Sequence, residues 1–268
     1  MKNKIIVFTK SWKDESLDEL ATMVKEMGFD GVELPVRDGY QVTPKNVKED
    51  LPKAVAVFKS HGLEIGSVAG SMESETVEAM GSAGIKILRV CLTVDMEVGY
   101  FASVKKHQDV IMSLKDCLLA NNVKIGIQNH HGFNIGSALG LHDIMNGLDN
   151  SVAGAVLDFA HCGLDGEPIS MALDIVKDSM IMVNFKSAYC ERLTGPDELE
   201  PTWQILWSTA KNSLYSWKEA IALLKGINYD GYICLPAEYD YRGKEEPIMG
   251  AEARRRVEYD LNYLKTIM

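Results

Sequence analysis

Residues 123–132 read Val-Lys-Ile-Gly-Ile-Gln-Asn-His-His-Gly, and residues 153–163 read Ala-Gly-Ala-Val-Leu-Asp-Phe-Ala-His-Cys-Gly. Each stretch is a short apolar run that ends in polar and imidazole side chains. Runs that are apolar on both faces are typical of parallel strands covered by helices, because both faces of such a sheet are buried. The two stretches therefore predict an α/β fold with a polar rim at the carboxyl ends of its strands.

Six more short apolar runs complete a set of eight candidate strands. The eight are Lys4–Thr9, Gly31–Leu34, Glu64–Val68, Ile85–Leu92, Val123–Asn129, Ala153–Asp158, Met180–Phe185 and Tyr232–Leu235. Amphipathic helical patterns such as Leu17, Leu20 and Val24 separate them. Eight strands alternating with helices over 268 residues predict a (β/α)8 TIM barrel. No Pro/Ser-rich linker divides the chain, so we expect a single domain over residues 1–268.

Charge and composition exclude several classes of protein. The formal net charge of -10 disfavours a nucleic-acid partner, since a phosphate binder needs clustered Lys and Arg. Five scattered cysteines without a C-x-x-C pair indicate free thiols in a reducing compartment. The first apolar run, Ile5 to Phe8, is too short for a signal peptide, and no stretch is long enough to span a membrane. We therefore expect a cytoplasmic protein without a membrane partner.

Polar residues at the carboxyl ends of barrel strands converge on one pocket, so these positions give the candidate site. The residues predicted to bind substrate are Glu33, Arg37, Arg89, Asn129, His130 and Trp203. Trp203 lies with Trp207 in the connection from Tyr189 to Ser216, which is long for a barrel and is expected to form a lid. The alternative is that the two tryptophans anchor this connection to the core.

Two groups of residues at these strand ends are better explained by a functional role than by a purely structural one. In Gln128-Asn129-His130-His131-Gly132, either histidine alone is better explained by a strand-end turn with hydrogen-bonded imidazoles, but the whole cluster favours a functional pocket. In the second cluster, Asp158 and His161 stand three residues apart and suit a divalent metal, since carboxylate and imidazole are its ligands. The alternative for this pair is a helix cap by Asp158 with His161 in the first turn.

The ordered set of motifs resembles the xylose isomerase-like barrel superfamily, which includes sugar (phosphate) isomerases and epimerases and apurinic endonucleases. The resemblance spans nearly the whole chain. It rests on Gly28-Phe-Asp-Gly-Val-Glu-Leu34, Ile127-Gln-Asn-His-His-Gly132, Leu157-Asp-Phe-Ala-His161, Val183-Asn-Phe-Lys186 and Tyr229-Asp-Gly-Tyr-Ile-Cys-Leu-Pro-Ala-Glu238.

The resemblance implies a divalent metal held by Glu, Asp, His and Glu on strands five to eight. The matching positions here are Gln128, Asp158 and Asn184, with Glu238 two residues beyond Pro236, which takes the last position by strict spacing. Neutral amides are poor ligands for transition metals. The expectation is a degraded metal site that binds one Mg²⁺ or Mn²⁺ weakly or not at all.

Three functions remain open at this point. The favoured one is an isomerase or epimerase of a small sugar or sugar phosphate, which transfers a proton next to a carbonyl. Its catalytic candidates are Glu238, His161 and Lys186, with His130 as a further partner for Glu238. The alternative is a sugar-binding or regulatory barrel that has lost the metal. An endonuclease is least favoured because the chain is acidic. The expected partner is a small carbohydrate, and a homo-oligomer is compatible with the sequence.

Overall fold

Eight parallel strands close into a barrel in the computed structural model, which describes residues 2–241 and 246–268. The barrel strands are β1 (Ile5–Phe8), β2 (Gly31–Pro35), β3 (Glu64–Ala69), β4 (Ile87–Val90), β5 (Lys124–Gln128), β6 (Ala153–Asp158), β7 (Met180–Asn184) and β10 (Tyr232–Leu235). Each pairs with the next along the chain, and β10 pairs with both β7 and β1. The predicted (β/α)8 barrel is confirmed, and every predicted strand is present with its ends within two residues.

Helices cover the outside of the barrel. They are α1 (Leu17–Met27), α2 (Val47–Ser60), α3 (Ser74–Ala83), α4 (Tyr100–Ser113), α5 (Lys115–Asn121), α6 (Ala138–Met145), α7 (Phe159–Leu164), α8 (Ile169–Val176), α9 (Trp217–Gly226) and α10 (Gly250–Ile267). None of the described helices is long and apolar enough to cross a membrane.

Local sequence fixes where α1 begins and ends. Ser16 accepts a hydrogen bond from the backbone N–H of Glu19, whose side chain in turn accepts from the backbone N–H of Ser16. This reciprocal pair satisfies N–H groups that have no partner within the helix. Gly28 then ends the helix with φ +85°, a conformation that glycine adopts without steric cost.

The strands are buried on both faces, as their two-sided apolar pattern predicts. Inside the barrel, Ile6, Ile87, Val156 and Met182 form one apolar cluster with Phe8, Ala69 and Cys234. The larger cluster lies between the strands and the helices. Because apolar side chains fill the barrel interior, it is a packed core. Polar side chains therefore collect at its carboxyl end.

The long connection between Tyr189 and Ser216 is largely ordered as an antiparallel hairpin. Its strands are β8 (Ser187–Arg192) and β9 (Trp203–Ser208), and Ala188 pairs with Trp207 while Arg192 pairs with Trp203. The base of the hairpin begins three residues after β7 ends, so one end of it is held beside the carboxyl ends of the barrel strands.

Candidate active site

A cavity of about 160 Å³ opens at the carboxyl ends of the barrel strands. It is lined by side chains from several strand ends, and its polar lining is Lys10, Arg37, Arg89, Cys91, Gln128, His130, Asn184, Lys186 and Glu238. Four of these are permanent cations, whereas Glu238 is the lining carboxylate. The cavity is therefore suited to a polar ligand that is rich in oxygen.

A larger cavity, of about 540 Å³, lies at the opposite end of the barrel. It is lined by residues near the amino ends of the strands, among them Lys4, Glu64 and Tyr232. Lys4 and Glu64 already form an ion pair there. Active sites of TIM barrels lie at the carboxyl face, so volume alone does not make this cavity the candidate site.

Arg89 lines the small cavity and forms hydrogen bonds with two neighbouring side chains. Its Nε and Nη2 each donate to one oxygen of Glu33 at 2.8 Å, and its Nη1 donates to Gln128 Oε1 at 2.7 Å. Ser67 Oγ also donates to Glu33 at 3.0 Å. Glu33 is fully buried, so this predicted substrate ligand acts as the counter-ion of Arg89 instead. Removing one partner of such a buried pair typically costs about 3–5 kcal/mol.

The amide of Gln128 has only one orientation that satisfies its neighbours. Arginine can only donate, so Gln128 Oε1 must face Arg89, and Gln128 Nε2 then donates to Asp158 Oδ2 at 2.7 Å. Asn184 Nδ2 lies 3.5 Å from the same oxygen. The oxygen of Asn184 is buried without a hydrogen-bond partner among the described residues. It belongs to a side chain that lines the cavity, so it can accept a hydrogen bond from a ligand hydroxyl.

Asp158 and Asn129 form the floor beneath the cavity. Asp158 Oδ1 accepts from the backbone N–H groups of Ala160 and His161, so Asp158 caps α7 as one of the two sequence interpretations proposed. Asn129 donates to the backbone carbonyl of Asp158 at 3.1 Å and accepts from its N–H at 2.7 Å. Both side chains are fully buried. Asn129 was predicted to contact substrate, but its side chain instead forms two hydrogen bonds that link the end of β5 to the end of β6.

Two lysines hold the carboxylate of Glu238. Lys10 Nζ donates to Oε1 at 2.9 Å and Lys186 Nζ donates to Oε2 at 2.8 Å. Burial disfavours the charge of Lys186, but the carboxylates of Glu238 and Asp158 outweigh burial and raise its pKa above the usual value. Burial also disfavours an ionised Glu238, but Lys186 and Lys10 hold its pKa well below the ordinary range. The geometry thus favours Glu238 as a counter-ion over its predicted role as a base.

Three imidazoles stack at the edge of the cavity. The ring centroids of His130 and His161 are 4.1 Å apart, and those of His131 and His161 are 5.2 Å apart. Their nitrogen atoms lie within 4.8 Å of one another, a spacing that suits a metal ion, although His161 could bind one only after loss of the proton from its Nε2. His161 is fully buried, and its Nδ1 accepts from the backbone N–H of His131 at 3.2 Å. Its proton therefore sits on Nε2, which leaves His161 no lone pair for proton transfer and opposes its predicted catalytic role.

His130 has the complementary arrangement. Its Nδ1 lies 3.0 Å from the backbone carbonyl oxygen of His131 and 3.3 Å from Asn134 Nδ2. The shorter contact places the proton on Nδ1 and leaves the Nε2 lone pair open. Burial lowers the pKa of His130. It is consequently neutral at pH 7 and able to accept a proton.

Trp207, and not Trp203, contacts the site. The Trp207 ring centroid lies 4.1 Å from Lys186 Nζ and packs against His131 and His161. It also lines an adjoining cavity of about 220 Å³. Trp203 is 60% exposed at the far end of β9 and lines neither cavity, so its predicted contact with substrate has no support in the structure. The connection predicted to form a lid is a hairpin, and of its two tryptophans Trp207 contacts the site.

The strand-end rule selects Lys10, but no binding or catalytic role was predicted for it or for Cys91, although both line the cavity. Lys10 lies two residues beyond the end of β1, and the signal for it was the strand-end rule that found the other lysine. Cys91 follows β4 directly and lies 3.4 Å from Gln128 Oε1. Partial loss of solvation beside the cavity raises the pKa of its thiol, although the residue as a whole is exposed.

The four positions that the resemblance assigns to a divalent metal do not fit one here. Gln128 turns its N–H toward Asp158, Asn184 does the same, and Lys186 neutralises Glu238. A divalent cation needs oxygen or imidazole lone pairs that converge on one point. These side chains instead direct hydrogen-bond donors at Asp158, and the degraded metal site stays a prediction.

Sequence and structure comparisons agree with this architecture. The sequence profile of a family described as "Xylose isomerase-like TIM barrel" matches residues 21–266. No functionally curated protein matches the chain significantly.

Several solved structures share the fold over their full lengths. A 3-keto-D-glucoside 4-epimerase from E. coli is 16% identical, with 99% of this chain and 100% of that chain covered and a TM-score of 0.71. A D-allulose 3-epimerase from Methylomonas sp. is 12% identical, with coverages of 99% and 98% and a TM-score of 0.74. A D-psicose 3-epimerase from Clostridium cellulolyticum H10, solved with D-tagatose, is 10% identical, with coverages of 98% and 99% and a TM-score of 0.73.

Proposed function

The chain belongs to the xylose isomerase-like TIM barrel family, and from this premise we propose that it is a carbohydrate isomerase or epimerase. Its reaction is the transfer of a proton at a carbon next to a carbonyl group. The observation that carries the proposal is that a neutral His130 and a cationic Lys186 line the same cavity. A base and a fixed positive charge are the two groups that this reaction requires.

The chemistry follows from these two side chains. The lone pair of His130 Nε2 takes the proton from the carbon next to the carbonyl, and the electron pair moves onto the carbonyl oxygen to give an enediolate. Lys186 stabilises that developing negative charge through a hydrogen bond. Return of the proton from His130 to the former carbonyl carbon, with transfer of the hydroxyl proton of the first carbon to the former carbonyl oxygen, isomerises the sugar. Epimerisation requires instead that water delivers a proton to the opposite face of the first carbon while His130 keeps the proton it has taken.

The substrate class follows from the lining of the cavity and from the solved structures that share the fold. Those structures are epimerases named for D-allulose, D-psicose and a 3-keto-D-glucoside, all of which carry a carbonyl. In this chain, the oxygen of Asn184, which has no hydrogen-bond partner in the described part of the structure, suits a sugar hydroxyl. Arg37 lies at the exposed rim, 5.6 Å from the Phe8 ring centroid, where it can meet a phosphate on a phosphorylated sugar. We therefore propose a keto sugar or its phosphate.

A sugar-binding protein without catalysis is the second candidate, and one observation favours it. The family's second acid–base group is absent, since Gln128 is an amide and both oxygens of Glu238 already accept hydrogen bonds from lysines. Such a protein would keep the cavity and its donors for recognition alone.

Proton NMR in D2O separates the two candidates. The protein is incubated with D-fructose, D-psicose, D-tagatose, their phosphates and a 3-keto-glucoside, and loss of the C–H signal next to the carbonyl is followed. We expect exchange with at least one sugar, reduced at least about 100-fold by His130→Gln. The matched control is His107→Gln, a half-buried histidine outside the cavity that contacts the carbonyl of Thr93, and it should keep the wild-type rate.

The outcomes are distinct. Saturation transfer from the protein to a sugar whose C–H does not exchange would support the sugar-binding candidate. A protein that neither binds nor exchanges any sugar of the panel would contradict both candidates.

A further inference from the structure

Four hydrogen-bond donors surround one oxygen of Asp158, at the position where the family places a cation. Gln128 Nε2 donates to Asp158 Oδ2 at 2.7 Å, and Asn184 Nδ2 lies 3.5 Å away. His161 Nε2 and Lys186 Nζ each lie 3.7 Å from the same oxygen. In a metal site, the side chains next to this carboxylate would present lone pairs. Here each of the four side chains presents an N–H group. They can therefore donate to the Asp158 carboxylate, and they offer no lone pair to a metal ion at this oxygen.

The positive charge in this cluster is provided by the chain itself. The Lys186 side chain is only 5% exposed and lies between Glu238, at 2.8 Å, and Asp158, at 3.7 Å. The Trp207 ring covers it at 4.1 Å. A buried ammonium that is paired with two carboxylates and an aromatic face is fixed in position. A divalent ion bound by the same two carboxylates would be repelled by it at short range.

We propose that the ammonium group of Lys186 replaces the divalent cation in this chain and is the built-in electrophile of the site. Three features of this chain support the replacement: the ammonium of Lys186 lies between the two remaining carboxylates, and amides occupy the positions Gln128 and Asn184. Each amide adds an N–H toward Asp158 and removes a metal ligand.

The role of Lys186 as electrophile rests on the proposed function, whereas the exclusion of the metal does not. Lys186 Nζ carries three protons, and Glu238 is the acceptor within hydrogen-bond distance among the described residues. A proton of the ammonium is thus left for a substrate carbonyl oxygen in the cavity that Lys186 lines. When the adjacent C–H proton leaves for His130, the oxygen gains the electron pair and its hydrogen bond to Lys186 strengthens.

Calorimetric titration with Mn²⁺ tests the replacement. All proteins carry His131→Ala, so that the three-imidazole cluster cannot take the ion. The otherwise unchanged parent should show no binding at the carboxylates. Lys186→Met should bind Mn²⁺ at least about tenfold more tightly than the parent, because it exposes Asp158 and Glu238 and removes the repulsion. Gln128→Glu with Asn184→His should bind weakly while Lys186 is present, and about 100-fold more tightly once Lys186→Met is added.

Lys10→Met is the matched control. Lys10 contacts Glu238 and, among the described contacts, not Asp158, so its removal takes away one positive charge without opening the position between the carboxylates. Its effect on Mn²⁺ affinity should be smaller than that of Lys186→Met. Equal effects would show that net charge alone controls metal affinity and would overturn the proposal, as would tight binding of one Mn²⁺ by the parent.

A second measurement needs no change at Lys186, where loss of the cation can impair folding. A four-carbon aldonohydroxamate, an analogue of the enediolate, is titrated into the wild-type protein with and without EDTA. Equal affinities support Lys186 as the electrophile, and loss of affinity in EDTA that Mn²⁺ restores overturns it. If the analogue fails to bind while Lys186→Met gains Mn²⁺ affinity, the proposed function fails and the replacement of the metal stands.

Discussion

His130 and its neighbour His161 carry their ring proton on different nitrogen atoms because each Nδ1 makes a different hydrogen bond. Nδ1–H of His130 donates a hydrogen bond to the backbone carbonyl of His131 at 3.0 Å. In His161, by contrast, Nδ1 accepts a hydrogen bond from a backbone N–H at 3.2 Å. These two neighbouring rings, tilted by 38° to each other, are thereby assigned opposite tautomers. The Nε2 lone pair of His130 stays open in a side chain that lines the cavity, whereas the Nδ1 lone pair of His161 accepts a hydrogen bond within the fold.

The pH dependence of proton exchange should follow His130. Burial lowers its pKa, so the neutral base persists to more acidic pH than in a free histidine, whose pKa is about 6.5. We expect the exchange rate to be level near neutral pH and to fall only on the acid side of the ordinary histidine pKa of about 6.5. Nitrogen-15 NMR of the imidazoles checks the assignment independently. A proton on Nε2 of His130 at pH 8, or an acid limb centred above pH 7, would contradict it.

At the scale of elements, the β8–β9 hairpin places one aromatic side chain, Trp207, beside the cavity at the carboxyl end of the barrel. Two-strand hairpins are marginal in isolation, and this one is stabilised at its base, where Ser187 and Ser208 pair and where Ala188 and Leu206 are buried. Its distal end is solvent-exposed. The consequence is that Trp207, near the base, is positioned firmly against Lys186, while Trp203 is not part of the site.

The two tryptophans of β9 therefore make a matched pair of substitutions. Trp207→Ala removes the ring over Lys186, and a desolvated cation–π contact of this kind is worth about 2 kcal/mol, so we expect the exchange rate to fall roughly 30-fold. Trp203→Ala should change it less than about twofold, since that side chain is exposed. Exchange rates and sugar affinities of the two variants measure this. Equal losses in both would instead indicate that the whole hairpin acts as a lid.

At the scale of the whole molecule, α10 ties the end of the chain to the rim of the barrel through Asp260. The Asp260 carboxyl accepts from the backbone N–H of Ala210 and from the hydroxyl of Tyr239, both at 2.8 Å. Ala210 follows the hairpin and Tyr239 follows β10, so one carboxyl joins three parts of the fold. Burial raises the pKa of Asp260 to about 7.

This raised pKa makes stability depend on pH. An unfolded Asp titrates near 3.9, so between about pH 4 and pH 7 the folded state holds a proton that the unfolded chain has released. The free energy of unfolding should therefore fall as the pH rises through that window, by about 4 kcal/mol at most, and stay level above it.

Asp260→Asn tests the effect because the amide mimics the protonated carboxyl. Its oxygen can accept from Ala210 and its N–H can donate to Tyr239. Urea denaturation at pH 4.5, 6 and 8 should show a flatter pH dependence than in the wild type, with stability equal or higher at pH 8. Asp174→Asn, an exposed partner of Lys177, is the control and should leave the dependence unchanged. A pH dependence in Asp260→Asn equal to that of the wild type would refute the assignment.

Sequence alone determined the barrel, because its evidence is local. Runs such as Ala153–Asp158 are apolar on both faces, and a buried parallel strand requires this wherever it lies in the fold. The strand-end rule likewise identified Lys186, Arg89 and Glu238 as neighbours, since all parallel strands of a barrel end at one face. The substitution of amides at Gln128 and Asn184 was also legible from sequence, once the resemblance was recognised.

Only the tertiary structure decided what those side chains do. The direction of the Gln128 amide depends on Arg89, 39 residues away, and the charge state of Glu238 depends on Lys10, 228 residues away. Trp207 rather than Trp203 meets Lys186 because hairpin pairing, and not sequence distance, sets which residue of β9 lies at the base. Secondary structure follows from periodicity within a segment, whereas hydrogen-bond direction, tautomer and ion pairing are set by atoms that folding brings together from distant segments.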